Sequence, residues 1–133
     1  MTAAALPAGS IGELQALLRR REISPREVLE SLRARIEQVD PQIGAYLSLD
    51  FEAAAKEAET VDLTLPLGGI PIAIKDIINV TGQPCTCASK ILSDYRAPYD
   101  ATVIRKLRAA GAIPFGKTNM KTKLQPICSA SVL

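Results

Sequence analysis

The sequence predicts an α/β fold in which an N-terminal helical hairpin precedes a strand–helix–strand unit. Three observations predict it. Two serine-started apolar stripes of helical period fill residues 10–41, a β-branched apolar run begins at Gly68, and a second apolar run at Ala112 follows a helix-like stretch ended by Gly111. Strand, helix, strand in that order implies a parallel crossover and hence a sheet covered by helices.

The first helix starts at Ser10-Ile11-Gly12-Glu13, a capping-box pattern in which the serine oxygen accepts the N3 amide and the glutamate reaches back to the serine amide. Ile11, Leu14, Leu17 and Leu18 follow at helical spacing. The second start is stronger: Ser24 caps, Pro25 fits the first helical position and Glu27 stands at N3. Val28, Leu29, Leu32, Ile36 and Val39 make its apolar stripe, which Pro41 is expected to stop. The opposite, Arg- and Glu-rich side reads as a solvated face. Residues 45–49 suit a short strand, residues 51–60 a third helix and residues 62–66 a connector.

From Gly68 the run Gly-Gly-Ile-Pro-Ile-Ala-Ile-Lys-Asp-Ile-Ile-Asn-Val suits a buried strand or its end. Turn chemistry surrounds Gly82. A helix capped by Asp100, with Val103, Ile104 and Leu107 facing inward, leads to Gly111, where left-handed geometry is wanted. Residues 112–116 then suit another strand. Residues 121–133 show neither periodicity nor capping logic.

Composition narrows the chemistry. The 133 residues contain no histidine, which excludes a Ser-His-Asp triad, a Cys-His dyad and a His-ligated zinc site within them. A net charge of +2 is too near neutral to argue for nucleic acid or an anionic membrane as partner. At 47% apolar and 23% charged residues the chain is globular in character. Its longest apolar run, residues 67–74, is broken by Gly68, Gly69 and Pro71 and is far short of the ~20 residues that cross a bilayer. The N-terminus lacks the basic region and long apolar core of a secretion signal. Three cysteines are an odd number at uneven spacing, so no disulfide framework is expected and the setting reads as reducing and cytoplasmic.

Lys75 is the sharpest chemical feature, the one charge in an apolar stretch that runs from Leu67 to Asp76. Burial there would disfavour its charged form and favour a neutral amine able to act as a general base. The alternative is that Lys75 pairs with Asp76 or reaches water from a strand end. Cys85-Thr86-Cys87 has the look of a metal or redox pair, but one intervening residue and a solitary Cys128 favour core or loop thiols. Gly111 to Thr118 satisfies the spacing of a phosphate-binding loop, yet it follows a helix where such a loop follows a strand. Pro114 would also remove an amide from the phosphate nest.

Four segments in order resemble the amidase-signature family: Gly68 to Asp76, Thr86-Cys87-Ala88-Ser89-Lys90-Ile91-Leu92, Pro98-Tyr99-Asp100-Ala101-Thr102-Val103 and Gly116-Lys117-Thr118-Asn119-Met120. Within it, the Thr86 and Pro98 segments point to the branch that hydrolyses glutamine for tRNA-dependent amidotransferases. The resemblance runs from about residue 10 to 120. It implies a mixed sheet of which this length holds only the first strands and helices, so the fold is expected to be incomplete. Residues 1–9 are then expected to be a disordered N-terminus, 10–120 the N-terminal portion of the amidase-signature domain, and 121–133 an unmatched tail.

The resemblance also implies a Ser–Ser–Lys mechanism, with Lys75 as general base acting through a relay serine on a nucleophilic serine. Glutamine would be cleaved through an acyl-enzyme. Its ammonia would pass to a partner that uses ATP and Mg²⁺ to convert glutamyl-tRNA to glutaminyl-tRNA. The implied partners are the B and C subunits of such an amidotransferase, with tRNA met only indirectly, no membrane, and no cofactor or metal in this chain. Both family serines belong to a Gly/Ser-rich signature downstream of the Gly116 segment, and residues 121–133 hold none. Ser89, Ser93, Ser129 and Ser131 are not expected to replace them: Ser89 falls in the Thr86 segment, where the resemblance places no nucleophile, and no glycines shape an oxyanion hole around Ser129 and Ser131. The chain alone is therefore expected to be inactive. Lys121-Thr122-Lys123 stands where the family continues with Asp-Glu, and its codons permit that pair in a shifted frame. A frameshifted or truncated gene product, or a non-catalytic assembly module, are the alternatives. Missing strands would leave Ile72, Ile74, Ile77 and Ile113 uncovered, with poor solubility or molten behaviour as the expected result.

Overall fold

The computed structural model describes residues 9–120. The expectations for residues 1–8 and for residues 121–133, including Cys128, Ser129 and Ser131, lie outside the described residues. The order is α1 (Ile11–Arg19), α2 (Pro25–Ile43), β1 (Tyr46–Leu49), α3 (Phe51–Thr60), β2 (Pro71–Lys75), α4 (Thr102–Ala109) and β3 (Ile113–Thr118). The strands form one open three-stranded mixed sheet in the order β1-β3-β2. β3 is central, antiparallel to β1 and parallel to β2. α4 lies in the crossover between the parallel pair, as the strand–helix–strand pattern predicts.

The hairpin caps follow from short-range chemistry, with one shift. At α2 the box is complete: Ser24 Oγ accepts from the Glu27 amide at 3.2 Å and Glu27 Oε2 accepts from the Ser24 amide at 2.7 Å. At α1, Ser10 Oγ accepts from the Glu13 amide, but Glu13 reaches one residue further back, to the Gly9 amide at 2.7 Å. Pro41 does not stop α2. The helix continues to Ile43 and ends at Gly44 in the left-handed region, whose amide donates to Asp40 O at 2.7 Å. A proline in the last turn forfeits only one backbone bond, and its fixed φ is already helical.

Two further local expectations fail at α4. Its N-cap is Ala101 with no side-chain bond, because Asp100 is occupied elsewhere. Asp100 Oδ1 accepts from the Thr81 amide at 2.7 Å and Oδ2 from Arg108 at 2.9 Å. Val103 is exposed, and Ile104 is the residue that α4 buries.

Apolar packing forms three groups. Leu29 and Ile36 of α2 and Ala54 and Ala58 of α3 cover Ile113 and Phe115 of β3. The Phe115 ring lies between Tyr46 and Phe51, with centroids 5.9 and 5.6 Å away. Leu14 and Leu18 of α1 meet Val28 and Ile70, and Ile104 meets Ile74 and Val80. Fully burying one such side chain contributes about 1.5–3 kcal/mol. Ile113 and Ile74 are therefore covered, at 1% and 5% exposure, and Ile72 is half-buried. Among the four isoleucines expected to be bare, only Ile77 is. Helices α2, α3 and α4 supply locally the cover that further strands were expected to give. β2 is not the uniformly buried strand its composition suggests, since Ala73 and Lys75 are exposed.

Pro114 sits inside the central strand, where a proline would normally break the ladder. The register explains it. Ile72 faces Pro114 and the next residue, Ala73, faces Gly116, so β3 bulges there and the missing N–H falls at the irregularity.

Candidate active site

Lys75 is the last residue of β2, opposite Thr118 of β3. Its side chain is exposed, so the apolar neighbours in sequence do not enclose it. The two sides of a strand separate successive residues: Ile74 turns inward while Lys75 does not.

The chain directly after Lys75 is held tightly. Asp76 is 1% exposed, and its amide donates to Thr118 O at 3.1 Å. Its Oδ2 accepts from the Thr86 amide at 3.1 Å and from the Thr86 hydroxyl, while Oδ1 has no hydrogen-bond partner. Its carbonyl accepts from Cys85 Sγ and from the Cys87 amide, each at 3.3 Å. The Ile78 amide closes a turn onto Lys75 O at 3.0 Å. The Ile78 carbonyl in turn accepts from Lys117 Nζ.

Lys117 is the lysine the fold buries, at 0% exposure in the central strand. Burial pushes its amine below the ordinary value, against the opposing pull of Cys85 and Asp76. The Cys85 thiol, also buried, is pushed up by desolvation, and Lys117 partly offsets that. Both lysines come after apolar residues in sequence, Lys75 after Ile72, Ala73 and Ile74, and Lys117 after Ile113, Pro114 and Phe115 with Gly116 between. Topology decides which of them is buried, because β3 is central and β2 is at the edge.

The other sequence candidates are not gathered at this site. Ser89 and Ser93 flank a single turn of 3₁₀ helix, Lys90–Leu92. Gly111 to Thr118 is mostly extended strand with Lys117 buried in it, which leaves no phosphate-binding loop. Among the described residues no three His, Cys, Asp or Glu side chains are placed to hold a metal. A cavity of about 860 Å³ lies elsewhere. It is an open groove of mixed charge between the α1–α2 turn and the residues after α3, with Arg21, Glu27, Glu59 and Asp62 in its wall.

The family model described as Amidase matches residues 27–131, a span that takes in Lys75 and its clamp and continues past Met120. The chain belongs to the amidase family. It is 57% identical over 111 residues to the A subunit of glutamyl-tRNA(Gln) amidotransferase from Methylacidiphilum infernorum, an overlap of 84% of this chain and 22% of that protein. Among solved amidase-family structures, the peptide amidase of Stenotrophomonas maltophilia superposes with a TM-score of 0.77 at 32% identity, covering 85% of this chain and 25% of that one. The A subunit of glutamyl-tRNA(Gln) amidotransferase from Thermotoga maritima gives 0.66 at 32% identity, covering 82% and 22%. The chain thus spans about a quarter of the length of the amidase-family proteins it matches, and its open sheet is an incomplete version of theirs.

Proposed function

We propose that these 133 residues supply the lysine-bearing part of a glutamine-hydrolysing amidase site, with Lys75 as the general base of a Ser–Ser–Lys arrangement. The observation that carries this reading is the 57% identity over 111 residues to the A subunit of an amidotransferase, in a match that includes the strand ending in Lys75. The clamp supports it. Asp76 held by Thr86, and Ile78 held by Lys117, fix the backbone directly after Lys75, and a base must be held in place to work. In the complete reaction the glutamine amide would be cleaved to glutamate, and the ammonia would be taken up by B and C subunits. Those partners would use ATP and Mg²⁺ and would be the ones to handle tRNA, all in the cytoplasm.

On this reading residues 1–133 do not supply the two serines that such a mechanism needs, and loss of a triad member removes nearly all its catalysis. Purified chain is therefore expected to release no ammonia from glutamine above the blank, with or without Lys75→Ala. Turnover that vanishes in Lys75→Ala would overturn the inactivity. A second reading, a non-catalytic assembly module, is favoured by the apolar side chains left bare, above all Ile91 at 93% exposure. Co-purification with B and C subunits, lost on Ile91→Asp, tests it.

A further inference from the structure

Cys85 and Cys87, which their spacing alone leaves as loop thiols, converge on one atom. Cys85 Sγ and the Cys87 amide each lie 3.3 Å from the Asp76 carbonyl oxygen. The Cys87 side chain is close enough to Cys85 to help push the Cys85 thiol up, after burial. The segment curls instead of extending, because Cys87 (φ +52) and Ala88 (φ +57) both occupy the left-handed region that side chains rarely adopt. Thr86 fastens the curl, bonding Asp76 Oδ2 and accepting the Ala88 amide at 3.3 Å. Exposure differs sharply across the pair: Cys85 is buried and Cys87 is open to solvent. An accessible thiol with a sheltered one beside it is the arrangement that captures peroxide at one sulfur and resolves it with the other.

We propose that Cys85 and Cys87 are a modification site, oxidised by a hydroperoxide to a reversible disulfide on the loop that comes after Lys75. The Cys87 sulfur attacks the terminal peroxide oxygen. The O–O bond breaks, an alcohol or water leaves, and Cys87 becomes a sulfenic acid. The Cys85 sulfur then attacks the Cys87 sulfur, the S–O bond breaks, and hydroxide leaves as water with the Cys85 thiol proton. Two thiols and one hydroperoxide give one disulfide, one alcohol and one water; the sulfurs lose two electrons and the peroxide gains them. The new bond consumes the Cys85 proton that Asp76 O accepts, so oxidation releases one of the ties on the residue next to Lys75. Oxidation of this pair does not depend on Lys75 being a base.

The test uses the full chain. Trypsin cuts after Lys75 and Lys90, and the peptide 76–90 between them contains both cysteines and not Cys128. After hydrogen peroxide, alkylation and digestion, this peptide should appear unalkylated and two hydrogens lighter than its reduced form. A dithiol reductant should restore two alkylatable thiols. Oxidation should be faster in the folded chain than in urea, and Cys87→Ser should abolish it at the buried Cys85. A peptide that takes up two alkyl groups after peroxide would overturn the proposal. So would a cross-link to Cys128 or a second chain, or a rate in urea equal to the folded one.

Discussion

Gly68 and Gly111 meet backbone to backbone: a Cβ on Gly111 would stand 2.8 Å from the Gly68 Cα and 3.0 Å from its nitrogen. Gly111 also holds φ +90, where a side chain is strained. The contact fastens the approach to β2 against the end of α4, with Leu67 N donating to Ala110 O at 2.7 Å and Gly69 N to Gly111 O at 3.0 Å. Both members of the parallel pair start from this junction, so its fit sets their register. Gly111→Ala should lower stability by about 2–4 kcal/mol, through strain and clash together. Gly12→Ala is the matched control. A Cβ there meets nothing within 4 Å in helix α1, so stability should rise by about 0.5–1 kcal/mol. Urea midpoints of the two variants should move in opposite directions.

The caps of α1 and α2 give a second prediction. Ser24 Oγ satisfies the Glu27 amide in a complete box, and Pro25 already preorganises the first turn. Ser24→Ala should cost about 1 kcal/mol in a denaturation experiment. Ser10→Ala should cost less, because Ser24 Oγ not only accepts the Glu27 amide but also donates to Glu27 Oε2 at 2.8 Å.

The contrast between the two lysines gives a third. Lys75 is exposed, so Lys75→Ala should change stability by no more than about 0.5 kcal/mol. Lys117 is wholly buried and donates to the Ile78 carbonyl. Lys117→Ala removes a buried stem and leaves that carbonyl unpaired, at a cost of about 3 kcal/mol or more. Thermal unfolding followed by circular dichroism would show a near-native transition for the first and a much lower or lost one for the second. Equal effects would place the structural lysine wrongly.

Local features were legible in the sequence. Ser24, Pro25 and Glu27 specify a helix start among themselves, and the apolar runs at 70–74 and 113–115 specify strands from their own side chains. Several of the failures involve a distant partner. Asp100 is a good cap by type, but Thr81 and Arg108 claim both its oxygens, and the local preference loses. Pro41 misled because only two helical residues, Gln42 and Ile43, follow it, so little helix depends on the bond it forfeits. For the candidate site, the strand ending in Lys75 was legible, whereas the Asp76–Thr86 clamp and the burial of Lys117 were not. Which of two apolar-flanked lysines loses its water is set by strand order, and order is decided by contacts far apart in the chain. Ile74 and Ile113 were expected bare for the same reason, since their cover comes from helices whose docking no periodicity reports.

The pairing that robbed α4 of its cap should be visible in acid. Burial alone would raise the Asp100 carboxyl, but the Thr81 bonds and the Arg108 charge outweigh it and hold the group below its ordinary 3.8. A carboxyl with a depressed folded value binds fewer protons folded than unfolded, so stability falls as protons are added. Its contribution is complete above 3.8 and is lost as pH drops through the lower folded value. Arg108 also bonds Glu57 at 3.0 Å, and Glu57 is shifted the other way, upward, first by burial and against the Arg108 charge. A group raised in the folded state stabilises at low pH and loses that contribution as pH rises through its folded value. The two carboxyls on one guanidinium therefore act in opposite directions, Asp100 below 3.8 and Glu57 above 4.5. Asp100→Asn should flatten the acid limb of a stability–pH curve below 3.8. Glu57→Gln should instead remove a decline on going up from its ordinary 4.5. Urea midpoints measured from pH 3 to 7 check both signs, and a steeper acid limb in Asp100→Asn would refute the assignment of Thr81 and Arg108 as its partners.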